Sequence, residues 1–562
     1  MSVQISCAGV LQCDVLIIGG GATALIAALE ARKEVDDVVM VCKGKVGRSG
    51  NTIVSAAQFA VSDPDSPDSV EQHFQDTLLG GQGINDEALV QLLTSQVGHR
   101  VRDLERYGVP FVRVKGELRR QLSPGHSSPR CVSVQAGDYP KATQGLSITL
   151  PLLKQVVSKG VRLIERTPVI KLLVEEGQVC GAIALDVEGQ QAVVLQAKAV
   201  VLACGGGGRI FALTDNTLDI SGDSYALALE AGATLRDMEF VQFFPAYMTS
   251  PLKTIIPTRL FAQGAVLRNK AGERFMPRYD PDRAEMATRD VMSRAIFLEM
   301  QRTGERGVYL DCTQVPPEVI EQRHLALARV LQKRGLDLQK DYLTISPAVH
   351  FIMGGLKIDG QCQSTVPGLY AAGEATGGLH GANRISSNAL SETIVFGAIA
   401  GRQAVSFARE TKGSTPPATG MGLVVHPRKG DISLHEVKEA LRQIMWEGVS
   451  IVRSEGSLQE ASLKVRGCRL ALERCSVSTF THIVELLQIR HMCLTAEAMV
   501  ASALLRTESR GAHYREDYPS SDERWLGSVH VAKAADQLKV DFVAKGENVL
   551  WPDCTSTRES RF

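Results

Sequence analysis

The chain has 562 residues and 44% hydrophobic content, enough for roughly three or four domain-sized units with large buried cores. Lys plus Arg and Asp plus Glu both number 62, which gives nucleic acid or an anionic membrane no charge excess to recognise. The 12 cysteines show no CxxC, CxxxC or Cys/His zinc spacing, so we predict no bound metal, no iron–sulfur site and no disulfide framework. The N-terminus lacks the pattern of a secretion signal, and no apolar run reaches about 18 residues. We therefore expect a cytoplasmic protein without direct membrane insertion, or one that is peripheral to the membrane through a partner subunit.

The first predicted element is a buried strand that runs into a glycine-rich turn. Val15–Ile18 are apolar, and Gly19, Gly21 and Ala24 follow in a GxGxxA pattern that opens a helix. The first glycine permits the tight turn, the second lets backbone N–H groups approach a pyrophosphate, and Ala24 lets helix and strand pack closely. The pattern predicts a dinucleotide-binding βαβ unit.

The residue that follows the second strand of this unit indicates which dinucleotide it binds. The helix continues through Glu30 and an apolar run follows at Val38–Cys42. This strand leads into Lys43, where an NAD site would offer an acidic group to the ribose. The absence of that acid favours FAD over NAD.

The next elements alternate between predicted helices and strands. We expect a loop at 43–58, helices within 70–107 and 147–158, and a small antiparallel layer made by strands at 161–174 and 179–186.

A second glycine cluster follows another apolar strand. Ala199–Arg209 reads AVVLACGGGGR, and such a cluster makes either a bulge or a close approach to a ligand. The apolar strand favours a second cofactor contact at Gly205 and Gly206. Ser221–Asp223 is predicted to cap a short helix that begins near Ser224.

Changes in composition divide the chain. Residues 240–345 are richer in charge, proline and aromatics and read as an inserted domain, so the dinucleotide fold comprises 1–239 and 346–410. Within its second part, 368–373 reads as a strand and 391–408 as a long helix. Residues 411–430 read as a linker, and 431–562 as antiparallel helices at 434–447, 457–474 and 479–507 with a polar tail.

Ordered motifs over nearly the whole chain resemble the flavoprotein family of succinate dehydrogenase, fumarate reductase and L-aspartate oxidase. Besides DVLIIGGGATA at 14–24, they are GERFM at 272–276, TRDV at 288–291, His350 with MGG at 353–355, AGE at 372–374, HGANR at 380–384, SN at 387–388 and RTESRGAH at 506–513. The resemblance implies an α/β fold: an FAD-binding Rossmann-like domain, an inserted α+β capping domain and a C-terminal helical domain.

The resemblance also implies which residues contact FAD. Besides the glycines named above and Ala24, we expect contacts from Lys43, Ser49, Thr52, Asp223, Glu374, Ser387, Asn388 and Leu390. Histidine-linked members of the family attach flavin in a loop that in this chain, at 42–58, contains no histidine. We therefore expect non-covalent FAD.

Family members exchange hydride between flavin and a carbon next to a carboxylate. The resemblance assigns proton transfer to Arg289 and binding of one substrate carboxylate to His350 and Arg384. Arginine can exchange a proton only where its surroundings lower the cost of its neutral form. The alternative is that Arg289 forms a structural ion pair with Asp290 or Glu285.

The chain departs from the family where a second carboxylate and a proton relay are expected. Phe244 stands in place of a histidine, and Pro257, Thr258 and Phe261 replace the Thr, Glu and Arg of the second motif. A carboxylate buried against phenylalanine without a donor would cost several kcal/mol. We therefore hypothesise a substrate with one carboxylate and an apolar remainder lined by Phe244 and Phe261. Arg259 is the alternative, as a substitute clamp or relay that would restore a dicarboxylate site.

Two other functions stay open at this stage. L-aspartate oxidase fits the missing flavin histidine and is opposed by the two phenylalanines. An electron-transferring flavoprotein with an iron–sulfur partner fits the lost relay residues, and is opposed by the retained Arg289, His350 and Arg384.

Overall fold

A computed structural model of the chain describes residues 3–5, 7–63, 69–137, 143–411, 423–425 and 429–546. In this part of the chain the helices, numbered in order, are α1 Ala22–Ala31, α2 Val70–Gly80, α3 Glu87–Arg106, α4 Leu146–Ser158, α5 Asp223–Glu230, α6 Met276–Tyr279, α7 Arg289–Thr303, α8 Pro317–Val319, α9 Leu325–Gln332, α10 Asn388–Glu410, α11 Leu434–Val449, α12 Glu455–Ala471 and α13 Phe480–Leu505. The strands of the same part are β1 Val3–Ile5, β2 Cys7–Ile18, β3 Val38–Val41, β4 Gln58–Ala60, β5 Arg113–Val114, β6 Glu117–Leu118, β7 Arg120–Gln121, β8 Cys131–Ser133, β9 Arg162–Ile164, β10 Val169–Glu175, β11 Gln178–Asp186, β12 Gln191–Leu202, β13 Leu235–Arg236, β14 Val241–Ser250, β15 Thr254–Ile255, β16 Val266–Arg268, β17 Val308–Asp311, β18 Leu343–Ile352, β19 Gly355–Leu356, β20 Leu369–Ala371, β21 Leu423–Val425, β22 Gly527–Ala534 and β23 Gln537–Ala544.

The centre of the first domain is a parallel sheet around β2. Strands β12 and β3 flank β2, β9 follows β3, and β20 pairs with the end of β12. Val15–Ile18 and all of β3 are buried, as their apolar sequences require. The carboxyl ends of the parallel strands meet at one edge, where ligands bind in open α/β sheets.

The predicted strand at 161–174 is wrong in one respect. The structure divides it into β9, at the edge of the parallel sheet, and β10, which pairs antiparallel with β11. The turn between them contains Pro168, and proline lacks the N–H that a continuous ladder needs. Strands β10, β11 and the start of β12 form the antiparallel layer that the sequence predicts.

Helices α1 and α10 cover this sheet and pack closely on each other. A side chain at Gly397 would come within 2.8 Å of the Thr23 carbonyl oxygen, and one at Gly401 within 2.3 Å of that of Ala27. Glycine on α10 therefore allows the two helices to approach. Both helices begin at the edge of the sheet where β2 and β20 end.

The capping domain is built on an antiparallel sheet in the order β15-β14-β18-β17-β16. Its apolar core combines this sheet with residues of α7 and includes Phe244, Phe261 and Ile296. Strand β18 runs from Leu343 to Ile352, so it crosses the predicted boundary at 345. The strand ties the capping sheet directly to the FAD-binding domain.

The C-terminal region begins with three packed helices, α11 to α13, as predicted. Serine or threonine N-caps start them: the Ser433, Ser454 and Thr479 side chains each accept a backbone N–H. The predicted polar tail is partly a hairpin, β22–β23, which joins β13 and β19 in a four-stranded sheet. In the second strand of the hairpin, β23, apolar and polar residues alternate only weakly, and most side chains are partly exposed. The sequence pattern therefore does not predict a strand there.

Most of the predicted linker at 411–430 lies outside the described residues, as does the chain after 546. Within it, β21 pairs antiparallel with β1. Among the described helices, none has the length and apolarity that would span a bilayer.

Candidate active site

The turn after β2 has the shape of a pyrophosphate cradle. Gly19 has φ +139°, and a Cβ there would lie 2.2 Å from the Ala203 carbonyl oxygen. The first turn of α1 receives no hydrogen bond from its N-cap side chain, because the N-cap is Gly21. The Ala22 N–H donates to Thr52 Oγ1, and the N–H groups left unpaired at a helix start attract an anion. This turn therefore fits the diphosphate of a dinucleotide.

The second glycine cluster packs against Glu374. A Cβ at Gly206 would lie 2.4 Å from Glu374 Oε1, and Gly205 has φ +77°. The Glu374 carboxyl accepts hydrogen bonds from Asn51 Nδ2 at 3.1 Å and from the Ile352 backbone at 3.2 Å. Burial raises the pKa of Glu374 to about 8, although these two donors favour the ionised carboxylate and so lower the pKa.

Lys43 and Asp223, both predicted to contact the cofactor, form an ion pair. Lys43 Nζ lies 2.8 Å from Asp223 Oδ2 and donates to Ser221 Oγ at 2.6 Å. His491 on α13 holds the other oxygen of Asp223 at 3.0 Å. Burial opposes ionisation of Asp223, but Lys43 and His491 together hold its pKa well below the usual range. The ion pair links the loop after β3 to the start of α5.

Ser49 and Thr52 lie in the loop beside this cradle. The Thr52 hydroxyl accepts the backbone N–H of Ala22, in the first turn of α1, at 3.3 Å. Ser49 Oγ donates to the Lys45 carbonyl at 2.7 Å. Thr52 therefore satisfies one backbone donor at the helix start that carries the glycine pattern.

Ser387, Asn388 and Leu390 form the start of α10. Ser387 adopts a left-handed conformation with φ +66°, and its side chain makes no cap. The Asn388 side chain bonds His73 Nε2 at 2.9 Å and Thr77 Oγ1 at 3.1 Å, and both of these partners are on α2. Backbone groups of α10, rather than the Asn388 side chain, are therefore available to a ligand. Together with the cradle at α1, these features fit bound FAD.

His350 occupies a bulge in the capping sheet. Gln242 pairs with Phe351 and Phe243 with Val349, so His350 is the extra residue on β18. Bulges redirect side chains and occur near active sites. His350 Nδ1 lies 2.7 Å from Asp215 Oδ2, and no described residue forms a hydrogen bond with Nε2. Asp215 could not be predicted from the motifs, because 135 residues separate it from His350.

Arg384 is buried with part of its guanidinium free. Nη2 donates to Gln242 Oε1 at 2.7 Å, the group stacks on Phe351 at 4.7 Å, and Nε meets no partner in the described structure. Burial, with repulsion from Arg289, lowers the pKa of Arg384 to about 10. The contact with Gln242, across 142 residues, could not be predicted from the motifs either.

Arg289 is the first residue of α7 and is half-buried. No ion pair joins it to a described residue, and Glu285 pairs instead with Arg274 at 2.6 Å. Its guanidinium lies over the Phe244 ring at 5.4 Å. Burial lowers the pKa of Arg289, while Asp215 opposes the shift. The structural ion pair considered for Arg289 is therefore not formed here.

The two phenylalanines belong to one apolar cluster of the capping domain. Phe244 and Phe261 are each 6% exposed, and the Phe244 ring lies 5.6 Å from the His350 ring. Arg259 lies in a 3-10 turn over Thr258–Gln263, and its side chain is exposed. The structure therefore brings Phe244, His350 and Arg289 together and leaves Arg259 at the surface.

The arrangement concentrates positive charge at a partly apolar wall. Arg289 and Arg384 repel each other and lack a carboxylate within ion-pairing distance among the described residues. An unpaired buried charge is costly, so the site is suited to an anionic ligand. Guanidinium and imidazole donors match the planar oxygens of a carboxylate.

Comparisons with known proteins place the chain in a family. Residues 14–390 match a family described as "FAD binding domain", and residues 438–551 match "Fumarate reductase flavoprotein C-term". One subunit of the CoM/CoB fumarate reductase of Methanothermobacter marburgensis is 37% identical, covering 92% of this chain and 96% of its own.

L-aspartate oxidase of Pseudomonas aeruginosa is 33% identical, covering 90% of this chain and 96% of its own. FrdA of E. coli quinol fumarate reductase superposes with a TM-score of 0.85 at 27% identity, covering 97% of this chain and 98% of that one. The chain belongs to the FAD-dependent oxidoreductases of the fumarate reductase and succinate dehydrogenase flavoprotein family.

Proposed function

We propose that this enzyme exchanges hydride with a carbon next to a carboxylate, on a substrate with one carboxylate and an apolar remainder. The proposal rests on the position of the Phe244 ring. Its ring lies 5.6 Å from the His350 ring and 5.4 Å from the Arg289 guanidinium, where a second anionic group would need a donor. A second carboxylate placed against this ring would lose its hydration without replacement, at a cost of several kcal/mol.

His350 and Arg384 bind the carboxylate in this proposal. The unpartnered Nε of Arg384 and the free Nε2 of His350 are the available donors. Donors fixed before the reaction also stabilise negative charge that develops on the adjacent carbon. Gln242 and the Phe351 ring orient Arg384, and Asp215 orients His350.

Bound FAD supplies the two-electron chemistry. The residues suited to hold it are Gly19, Gly21 and Ala24 at α1, Thr52, Gly205, Gly206 and Glu374, with backbone groups of Ser387, Asn388 and Leu390 at α10. Lys43, Ser49 and Asp223 support the adjoining loop.

Arg289 moves the proton in this proposal. Burial lowers its pKa, and it is free of a carboxylate partner in the described structure, so its neutral form is less costly than that of a surface arginine. Phe244 and Phe261 line the apolar side of the substrate and limit water there.

A second candidate is reduction of fumarate within a complex of several different chains. The 37% identity to a chain of the CoM/CoB fumarate reductase favours it. In that case an iron–sulfur partner subunit would carry electrons to the flavin. Any contact with a membrane would be made by that partner subunit. L-aspartate oxidation, at 33% identity, is opposed by the same Phe244.

The test is anaerobic titration of the purified yellow protein, in its oxidised and its reduced forms. The oxidised form is mixed with succinate, aspartate and saturated aryl or alkyl monocarboxylates, and the reduced form with fumarate and the corresponding enoates. A change of flavin absorbance with monocarboxylates alone supports the proposal. A change with succinate or fumarate supports the second candidate, and a co-purifying brown partner would add the complex.

A further inference from the structure

Asp215 and His350 form a hydrogen-bonded pair that the motifs of the chain do not predict. Asp215 lies in the segment after the second glycine cluster, and His350 lies in the capping sheet. The His350 Nδ1 to Asp215 Oδ2 distance is 2.7 Å, and the Asp215 side chain is 7% exposed. The pair therefore connects the FAD-binding domain to the proposed carboxylate site.

Backbone contacts fix the position of Asp215. Its N–H donates to the Val349 carbonyl at 3.2 Å. Asn216 Nδ2 donates to Asp215 Oδ1 at 3.0 Å and to the His350 carbonyl at 3.1 Å. Turning the carboxylate away from the imidazole would break its hydrogen bond from Asn216 Nδ2.

This contact determines which nitrogen of His350 can donate. An ionised carboxylate only accepts hydrogen bonds, so Nδ1 carries a proton toward Asp215. In a neutral imidazole with Nδ1 protonated, Nε2 is an acceptor and repels a substrate carboxylate. Only the imidazolium donates to Asp215 and to the substrate at the same time.

We propose that Asp215 is a positioning residue that makes His350 bind the substrate carboxylate only as the imidazolium, so that binding takes up one proton. The inference rests on the proposed function, in which His350 contacts a carboxylate. The proton comes from the buffer and forms one N–H bond at Nε2, and no electrons are transferred in this step.

Other charged groups near the pair act in both directions. Arg289 and Arg384 disfavour a further positive charge, whereas Asp215 and the incoming carboxylate favour it. Glu374 bonds the Ile352 backbone two residues beyond His350. Tyr247 lies within electrostatic reach of Asp215 and Arg209. The incoming carboxylate is the negative charge that binding adds beside the imidazole.

The test measures proton uptake rather than turnover. Flavin-loaded enzyme is titrated with trans-cinnamate, and separately with fumarate, by calorimetry in buffers of different ionisation enthalpy between about pH 6 and about pH 9. At the alkaline end we expect uptake of about one proton, and a Kd that rises about tenfold per pH unit.

Asp215→Asn removes this requirement. The amide can donate to Nδ1, and the neutral ring then carries its proton at Nε2 and donates to the carboxylate. We expect proton uptake near zero and a Kd that no longer depends on pH. Asp215→Glu keeps the carboxylate and should keep the uptake. Asp311→Asn is the matched control, because it removes a buried carboxylate paired with Arg268 in the same capping sheet.

His350→Gln provides an independent check that does not require Asp215→Asn to fold. The glutamine amide donates without a proton from the buffer, so we expect weaker binding without uptake. Proton uptake in Asp215→Asn or in His350→Gln equal to that of the parent overturns the inference. If fumarate binds with proton uptake and cinnamate does not bind, the proposed substrate class is refuted. The inference about Asp215 then still stands. Failure of both ligands to bind contradicts both.

Discussion

The guanidinium of Arg289 lies over the ring of Phe244, 5.4 Å from its centre. The same ring lies 5.6 Å from the imidazole of His350. An apolar side chain therefore lies beside both of these groups, to which we assign carboxylate binding and proton transfer. In the proposed function, selection between one and two carboxylates depends on Phe244.

Replacing Phe244 with histidine should improve the binding of dicarboxylates. Phe244→His places a donor where a second carboxylate would otherwise lose its hydration, so we expect Kd for fumarate to fall by about tenfold or more relative to trans-cinnamate. Flavin difference spectra measure both constants. Phe244→Leu, which stays apolar, should leave the ratio near that of the parent.

Arg259→Gln tests the alternative explanation of this site. Loss of tight fumarate binding in that variant, with the rest of the chain unchanged, would mean that Arg259 completes a dicarboxylate site. The interpretation of Phe244 would then be wrong.

Replacing Arg289 should slow the reaction while binding is retained. Arg289→Gln cannot supply a proton, so we expect single-turnover flavin reoxidation by substrate to slow by about 10²- to 10⁴-fold. Flavin content and Kd for the carboxylate should change much less, since other residues bind both. Arg278→Gln, a partly exposed arginine of the same domain, is the control. Equal losses in both variants would remove Arg289 from proton transfer.

The flavin should dissociate when the protein is denatured. No histidine lies between residues 42 and 58, so the loop that carries the covalent link in histidine-linked relatives has no such attachment point. We expect all yellow colour in the supernatant after acid precipitation, measured by absorbance. Colour retained in the pellet would contradict non-covalent binding.

A methyl group at the first glycine of the cradle should disrupt it. In Gly19→Ala the new Cβ would lie 2.2 Å from the Ala203 carbonyl oxygen, at φ +139°. We expect loss of flavin and a free energy of unfolding lower by several kcal/mol. Gly467→Ala is the control, because open space surrounds this glycine of α12. That variant should gain about 0.5–1 kcal/mol, and equal behaviour of the two variants would contradict the cradle.

Glu374 should make the flavin-free protein less stable as pH rises. Its pKa is raised from 4.5 to about 8, so between these values the folded state keeps a proton that the unfolded chain has released. The free energy of unfolding then falls by about 1.4 kcal/mol per pH unit across that range. Urea unfolding at several pH values should show a smaller slope for Glu374→Gln. Glu410→Gln, at the exposed end of α10, should keep the parent slope.

Much of the fold could be predicted from local pattern. The strand–glycine–helix order at Gly19, the second glycine cluster and the long helix α10 depend on neighbouring residues, and the structure confirms them. The division of β9 from β10 and the hairpin β22–β23 could not be predicted. Pairing with distant strands, β3 for the former and β13 for the latter, decides both.

The family, the glycine turn before α1 and the choice of Arg289, His350 and Arg384 as candidate site residues all came from short motifs, which can be read locally. Only the tertiary structure brought Asp215 to His350 and Gln242 to Arg384, and only it put Phe244 against both His350 and Arg289. The physical reason is distance along the chain. These contacts join residues 45 to 142 positions apart, and they depend on sheet register and domain packing, which local periodicity does not specify.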